Sequence, residues 1–182
     1  MRKINKILIG THNEGKFKEL CYLLPKKLNK ISPLSLGIKS PKETGKTFLA
    51  NSKLKVNYFS KFSKLASLSD DSGLVVNCLN GKPGIHSARW AKKYGGFKKA
   101  MKKIILMVQN KNKSKKNINT KAYFICCLSF KTTTGKIFTA SGKIFGNISS
   151  KAMGKNGFGY DPIFVPNNYK ITFGQMKKKK KC

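Results

Sequence analysis

The chain has 182 residues, of which 39 are Lys or Arg and only six are Asp or Glu, for a formal net charge of +33. That length suits one domain with a sizeable core, and no apolar run is long enough to cross a bilayer as a helix. The charge invites a nucleic-acid reading, but the only arginines are Arg2 and Arg89, and recognition of phosphates and base edges favours arginine's planar fork. Lysine, asparagine and isoleucine are abundant together, as AT-rich codons produce. Most of the charge therefore reads as spread over solvated faces, with non-specific attraction to nucleic acid at low salt as its by-product.

In chain order, residues 7–10 read as a short buried strand. The polar loop Thr11, His12, Asn13, Glu14, Gly15, Lys16 follows. Phe17, Leu20, Cys21 and Leu24 then recur at helical spacing until Pro25. A strand, a glycine-containing loop and a helix start can cradle phosphate, because unpaired backbone N–H groups and a lysine face the same space. Residues 31–46 read as loop or edge strand. The spacing predicts a helix over 47–66, with Phe48, Leu54, Tyr58, Phe59, Phe62 and Leu65 on one side. Lys55 falls within that apolar arc, either snorkelling at its edge or reaching into a site.

Asp70, Asp71, Ser72 and Gly73 read as a turn that concentrates negative charge, which suits a hard divalent cation. A strand over 74–79 ends at the Asn80-Gly81 turn, and Pro83-Gly84 marks another. Residues 97–108 read as a helix and 109–119 as a polar loop. Residues 120–130 and 136–145 read as an antiparallel pair. A glycine-rich loop over 154–162 carries Phe158, Gly159, Tyr160 and Asp161, and 163–165 form a short strand. The five cysteines show no C-x-x-C spacing and read as reduced cytoplasmic thiols in core positions.

Taken together, Asp70, Asp71 and Glu43 supply carboxylates, Lys16 and Lys55 supply cations for phosphate, and the Phe158–Tyr160 stretch can hold a flat base. This is equipment for metal-assisted hydrolysis of a nucleoside triphosphate. As a bland alternative, the acidic stretch is a turn held by its own side-chain bonds, and the loop aromatics are core residues.

The chain resembles the Ham1-like purine nucleoside triphosphate pyrophosphatases, the dITP/XTP (inosine triphosphate) pyrophosphatase family. The matching segments are Thr11-His12-Asn13-Glu14-Gly15-Lys16, Glu43-Thr44-Gly45-Lys46-Thr47-Phe48, Asp70-Asp71-Ser72-Gly73-Leu74, Pro83-Gly84 with Ser87-Ala88-Arg89-Trp90, and Gly157-Phe158-Gly159-Tyr160-Asp161-Pro162-Ile163-Phe164. They follow the family's order from about residue 4 to residue 176. The resemblance implies a mixed α/β fold, with a long curved central sheet and flanking helices forming two lobes around a cleft. It implies a cytoplasmic homodimer that uses Mg²⁺ to cleave dITP, ITP or XTP between the α- and β-phosphates.

Carried over by position, the resemblance makes Asp71 the proton acceptor and a metal ligand, Lys55 the helix-borne catalytic lysine, and Glu43 a second metal ligand. It gives the nucleotide-binding loop to Thr11, His12, Asn13, Glu14, Gly15 and Lys16, and further substrate contacts to Ser72, Phe158, Gly159, Tyr160, Asp161 and Lys181. The family often has a small residue at the position of His12, so its imidazole reads as incidental, as does that of His86.

The chain departs from the pattern near its end. The expected organisation is one pyrophosphatase domain over 1–176 and a lysine-rich tail over 177–182, truncated relative to the family. Gln175 stands where a glutamate is usual, and Ala50 where an acidic residue is usual. The Ser-His-Arg that helps read the purine 6-oxo group is absent, as is the helix after it. A lysine run encoded by adenines invites a shifted reading frame, which resequencing past it decides. The competing expectations are an impaired member that still binds nucleotide and a basic nucleic-acid-binding protein with steep salt dependence.

Overall fold

The computed structural model describes residues 4–114 and 116–177. Lys181, with the rest of 178–182, lies outside the described residues. The fold is mixed α/β, with a six-stranded sheet of order β2–β1–β3–β4–β5–β6 and helices between its strands. The chain divides into two compact units, Met1–Asp71 with Cys126–Gly142, and Ser72–Ile125 with Lys143–Cys182. Among the described residues no helix is long and apolar enough to cross a membrane.

The first unit begins with β1 (Lys6–Ile9), whose Ile7, Leu8 and Ile9 are buried. Helix α1 (Glu14–Leu23) follows, then β2 (Asn29–Ile31), which pairs parallel to β1. Parallel neighbours need a crossover, and α1 supplies it. The helix starts three residues earlier than the apolar spacing suggested. Asn13 is its N-cap, and its side chain accepts the Lys16 N–H at 3.1 Å, satisfying one of the orphan donors of the first turn. Lys16 is therefore helical rather than in the loop.

Helix α2 (Phe48–Ser63) is capped by Thr47, whose hydroxyl accepts the Ala50 N–H, and it ends at Lys64 in the left-handed region. The predicted stripe needs correcting. Phe62 is 56% exposed, and the buried face is Asn51, Ser52, Lys55, Val56 and Phe59. Polar partners compensate that burial: Ser52 Oγ lies 2.8 Å from Ser129 Oγ on β4 (Lys121–Lys131).

Strand β3 (Ser67–Val76) holds the largest correction, because Asp70, Asp71, Ser72 and Gly73 lie within it rather than in a turn. β3 runs parallel to β1, with Leu8 opposite Ser67 and Ile9 opposite Leu68. Successive side chains point to opposite faces. Leu68 joins the cluster of Ile7, Ile9 and Leu20 beside α1, and Asp70 two residues on pairs with Lys16 of the same helix. Asp71 turns the other way, to α2.

In the second unit β3 continues through Leu74, Val75 and Val76, and Asn80 and Gly81 turn the chain with positive φ. A short helix that the sequence did not announce, α3 (Ser87–Lys93), precedes α4 (Phe97–Asn112). α4 runs four residues beyond its apolar stretch, because Asn112 closes it. The Asn112 side chain donates to Val108 O and Asn119 O and accepts the Asn119 N–H. Ala100, Met101, Ile104 and Val108 pack the core with Leu74, Ile163 and Phe164. β4 and β5 (Ile137–Ile148) are sheet neighbours joined by a turn at Thr132 to Lys136, and β5 pairs antiparallel with β6 (Phe164–Pro166).

Candidate active site

The site is assembled in the first unit from three backbone pieces: the end of β1 with the start of α1, the buried face of α2, and the middle of β3. Gly10 makes their approach feasible. A Cβ there would collide with Ser69 Oγ and the Phe59 ring, so only glycine lets the loop after β1 lie against β3 and α2. Thr11 is buried beside it, and its hydroxyl accepts the Asn13 N–H at 3.2 Å.

Lys16 Nζ lies 2.8 Å from Asp70 Oδ2, with the aspartate side chain 4% exposed. Burial works against the lysine's charge, but the Asp70 carboxylate, with help from Asp71, holds the ammonium above its ordinary value. The Cys126 thiol stands in the same field. Burial, reinforced by Asp70, pushes it up to about 11, so it remains a neutral thiol at physiological pH.

Asp71 is 5% exposed, and its Oδ2 accepts a 3.0 Å hydrogen bond from Asn51 Nδ2. Burial pushes its carboxyl up from 3.8 to about 6; Lys55 and the Asn51 bond oppose that rise, and Glu43 adds to it. Lys55 Nζ lies 3.3 Å from Glu43 Oε1. Asn51 also accepts the Gly45 N–H at 2.8 Å, so one amide ties the Glu43 segment to β3. The sequence reading passed over Asn51. The sequence offers only its spacing, one helical turn before Lys55 on the same face; its full burial is read from the structure.

Hard oxygen donors from Asp71 and Glu43 fit Mg²⁺, which binds through one or two carboxylates together with substrate phosphates and water. Among the described residues no group of three or more His, Cys, Asp or Glu could enclose a metal on its own. The donor set suits an ion brought with a phosphate ligand rather than an all-protein cage.

The remaining predicted residues are placed as follows. Glu14 is exposed and stands 3.9 Å from Lys18, and Gly15 lies in the first turn of α1. The His12 ring is not incidental: both its nitrogens contact the 38–40 segment. Ser72 continues β3 in the second unit. That unit also holds the loop before β6, where the Asp161 carboxylate accepts the Phe158 N–H at 3.1 Å and Gly159 has a φ of +65°. Tyr160 is a core residue there. Its hydroxyl donates to Ser87 O at 2.9 Å, and burial raises the phenol above its usual range. Any substrate contact at Tyr160 would go through its backbone. Gln175, which replaces the usual glutamate, completes a capping box with Thr172.

Residues 7–182 match the model of the Ham1 family. The dITP/XTP pyrophosphatase of Caulobacter vibrioides is 38% identical over 172 residues, covering 94% of this chain and 87% of that protein. The dITP/XTP pyrophosphatase of Bartonella henselae is 40% identical over 189 residues, covering 100% of this chain and 86% of that protein. The solved structure of a HAM1 protein from Coxiella burnetii superposes with a TM-score of 0.84 at 28% identity, covering 96% of this chain and 88% of that one.

Proposed function

Because this chain belongs to the Ham1 family, we propose that it is a nucleoside triphosphate pyrophosphatase acting on deaminated purine nucleotides. Its substrates on this reading are dITP, ITP and XTP, cleaved to the monophosphate and pyrophosphate. The names of its curated relatives support the substrate class. The observation that carries the chemistry is the placement of Asp71: a buried carboxyl raised to about 6, within reach of Asn51 and of the Lys55–Glu43 pair.

A general base works best when its pKa lies near the operating pH. Asp71 accepts the proton of the attacking water. The water oxygen bonds to the α-phosphorus, the bond to the bridging oxygen breaks, and pyrophosphate leaves with the electron pair. Lys16 and Lys55 stabilise charge building on the phosphate oxygens. Asp71 and Glu43 would hold Mg²⁺, which when bound neutralises phosphate charge and orients the substrate. Asn51 keeps the Asp71 carboxylate oriented. Substrate contacts by the loop from Thr11 to Lys16, by Ser72, and by Phe158, Gly159, Tyr160 and Asp161 rest on the motif match.

We further read the protein as a cytoplasmic homodimer. Among the described residues Cys21, Cys78, Cys126 and Cys127 form no disulfide, which suits a reducing compartment. β5 exposes Ile137, Phe138, Ile144 and Phe145, apolar surface of the kind that self-association covers. Sedimentation of the pure chain tests the dimer. The activity is tested by incubating it with Mg²⁺ and dITP, XTP, dATP or dGTP and measuring pyrophosphate. No release from dITP or XTP by a folded sample rejects the reading.

A further inference from the structure

Both ring nitrogens of His12 are engaged, and both partners lie on the segment that leads to Glu43. His12 Nε2 lies 3.0 Å from Ile38 O, and Nδ1 lies 2.6 Å from Ser40 Oγ. A carbonyl oxygen only accepts, so Nε2 donates to Ile38 O, and the Ser40 hydroxyl, which can donate or accept, is the partner of Nδ1. The ring also leans on Phe59 of α2, with centroids 6.0 Å apart.

Residues 38–45 form neither helix nor strand, so no hydrogen-bond ladder of their own holds them. Besides the Ile38 N–H bond to Pro33 O and the Glu43–Lys55 pair, side chains from other elements hold the segment at both ends. His12 holds Ile38 and Ser40 at one end, and Asn51 holds the Gly45 N–H at the other. Glu43 lies between these tethers, two residues beyond Pro41, whose ring fixes one backbone angle of the span.

We propose that His12 is a positioning residue: it ties the loop before α1 to the Glu43 segment and so holds Glu43 beside Lys55, without touching the nucleotide. With both nitrogens taken, the imidazole has no polar atom left for substrate. This replaces the substrate-contact role expected for His12, and it rests on the reading of Glu43 and Lys55 as active-site groups.

Sequence composition supplies a clean test. Glutamate occurs only at positions 14, 19 and 43, so a glutamate-specific protease reports the opening of the Glu43 segment directly. His12→Ala and Ser40→Ala are each expected to speed cleavage after Glu43 about fivefold or more, with cleavage after Glu19 unchanged. Turnover of dITP is expected to lose about three- to tenfold in kcat at nearly constant KM, the scale of one or two hydrogen bonds. The double variant should be no worse than His12→Ala alone, since the two residues share one bond. Unchanged cleavage after Glu43 in both variants overturns the proposal. So does a rise in KM alone for His12→Ala with Ser40→Ala silent, which would make His12 a substrate contact. If the wild-type chain releases no pyrophosphate, the functional reading fails, and the protease rates still decide the tether.

Discussion

Asn51 reaches Asp71 across twenty positions of sequence, donating from Nδ2 to the carboxylate at 3.0 Å while its Oδ1 accepts the Gly45 N–H at 2.8 Å. One fully buried amide thus joins the strand that carries Asp71 to the segment that carries Glu43. Asn51→Ala breaks both bonds and leaves a buried carboxylate with one donor fewer. Urea unfolding should show a loss of about 2–4 kcal/mol, and kcat on dITP should fall at least about tenfold. An Ala variant with wild-type kcat would remove Asn51 from the mechanism.

The burial of Asp71 works against stability once its carboxyl is ionised. Its folded pKa of about 6 lies above the ordinary 3.8, so between these values the native state binds more protons than the unfolded chain. Stability therefore falls as pH rises from about 4 to about 6, and the penalty is complete above that range. Asp71→Asn removes the charge and keeps the shape. Without metal, the variant should be more stable than wild type by about 1–3 kcal/mol at pH 8, with the gap closing towards pH 4, while pyrophosphate release is abolished. Thermal melts in a chelator at the two pH values check the sign.

Lys16 and Asp70 form a buried pair at 2.8 Å. Lys16→Met leaves Asp70 without its ammonium partner and should cost about 3–5 kcal/mol. Adding Asp70→Asn should recover a large part of that loss, because the costly species is a buried charge with its counterion gone. A denaturant-based double-mutant cycle measures the coupling, and additive effects would show that the pair is not coupled.

Gly45 has no room for a side chain. A Cβ there would stand 2.5 Å from Asn51 Oδ1 and 2.9 Å from Asn51 N. Gly45→Ala should displace the Asn51 amide, cost about 1–3 kcal/mol and lower kcat in the same direction as Asn51→Ala.

The elements set by apolar spacing and cap chemistry were legible in the sequence. β1 and the body of α1 follow from Ile7 to Ile9 and from Phe17, Leu20 and Leu24, and Thr47 marks the start of α2. Lys55 was readable as a misplaced charge on a buried face. The acidic stretch was not. Asp, Ser and Gly in succession carry turn chemistry, and what keeps them in a strand is non-local: β3 lies between β1 and β4 in the sheet, and Lys16 and Asn51 compensate the buried carboxyls. The buried face of α2 was misread for a related reason. Asn51, Ser52 and Lys55 are buried against polar partners on other elements, which hydrophobic periodicity does not detect. His12 looked incidental because Ile38 and Ser40, its partners, lie 26 and 28 residues away.

The most direct measurement is the product stoichiometry of dITP hydrolysis with Mg²⁺, by the wild-type chain and by Asp71→Asn. The wild type should yield dIMP and pyrophosphate in equal amounts, faster than the corresponding products from dATP or dGTP, and the variant should yield neither. Release of orthophosphate with a nucleoside diphosphate, or undiminished pyrophosphate from the folded variant, would contradict Asp71 as the base that drives cleavage between the α- and β-phosphates.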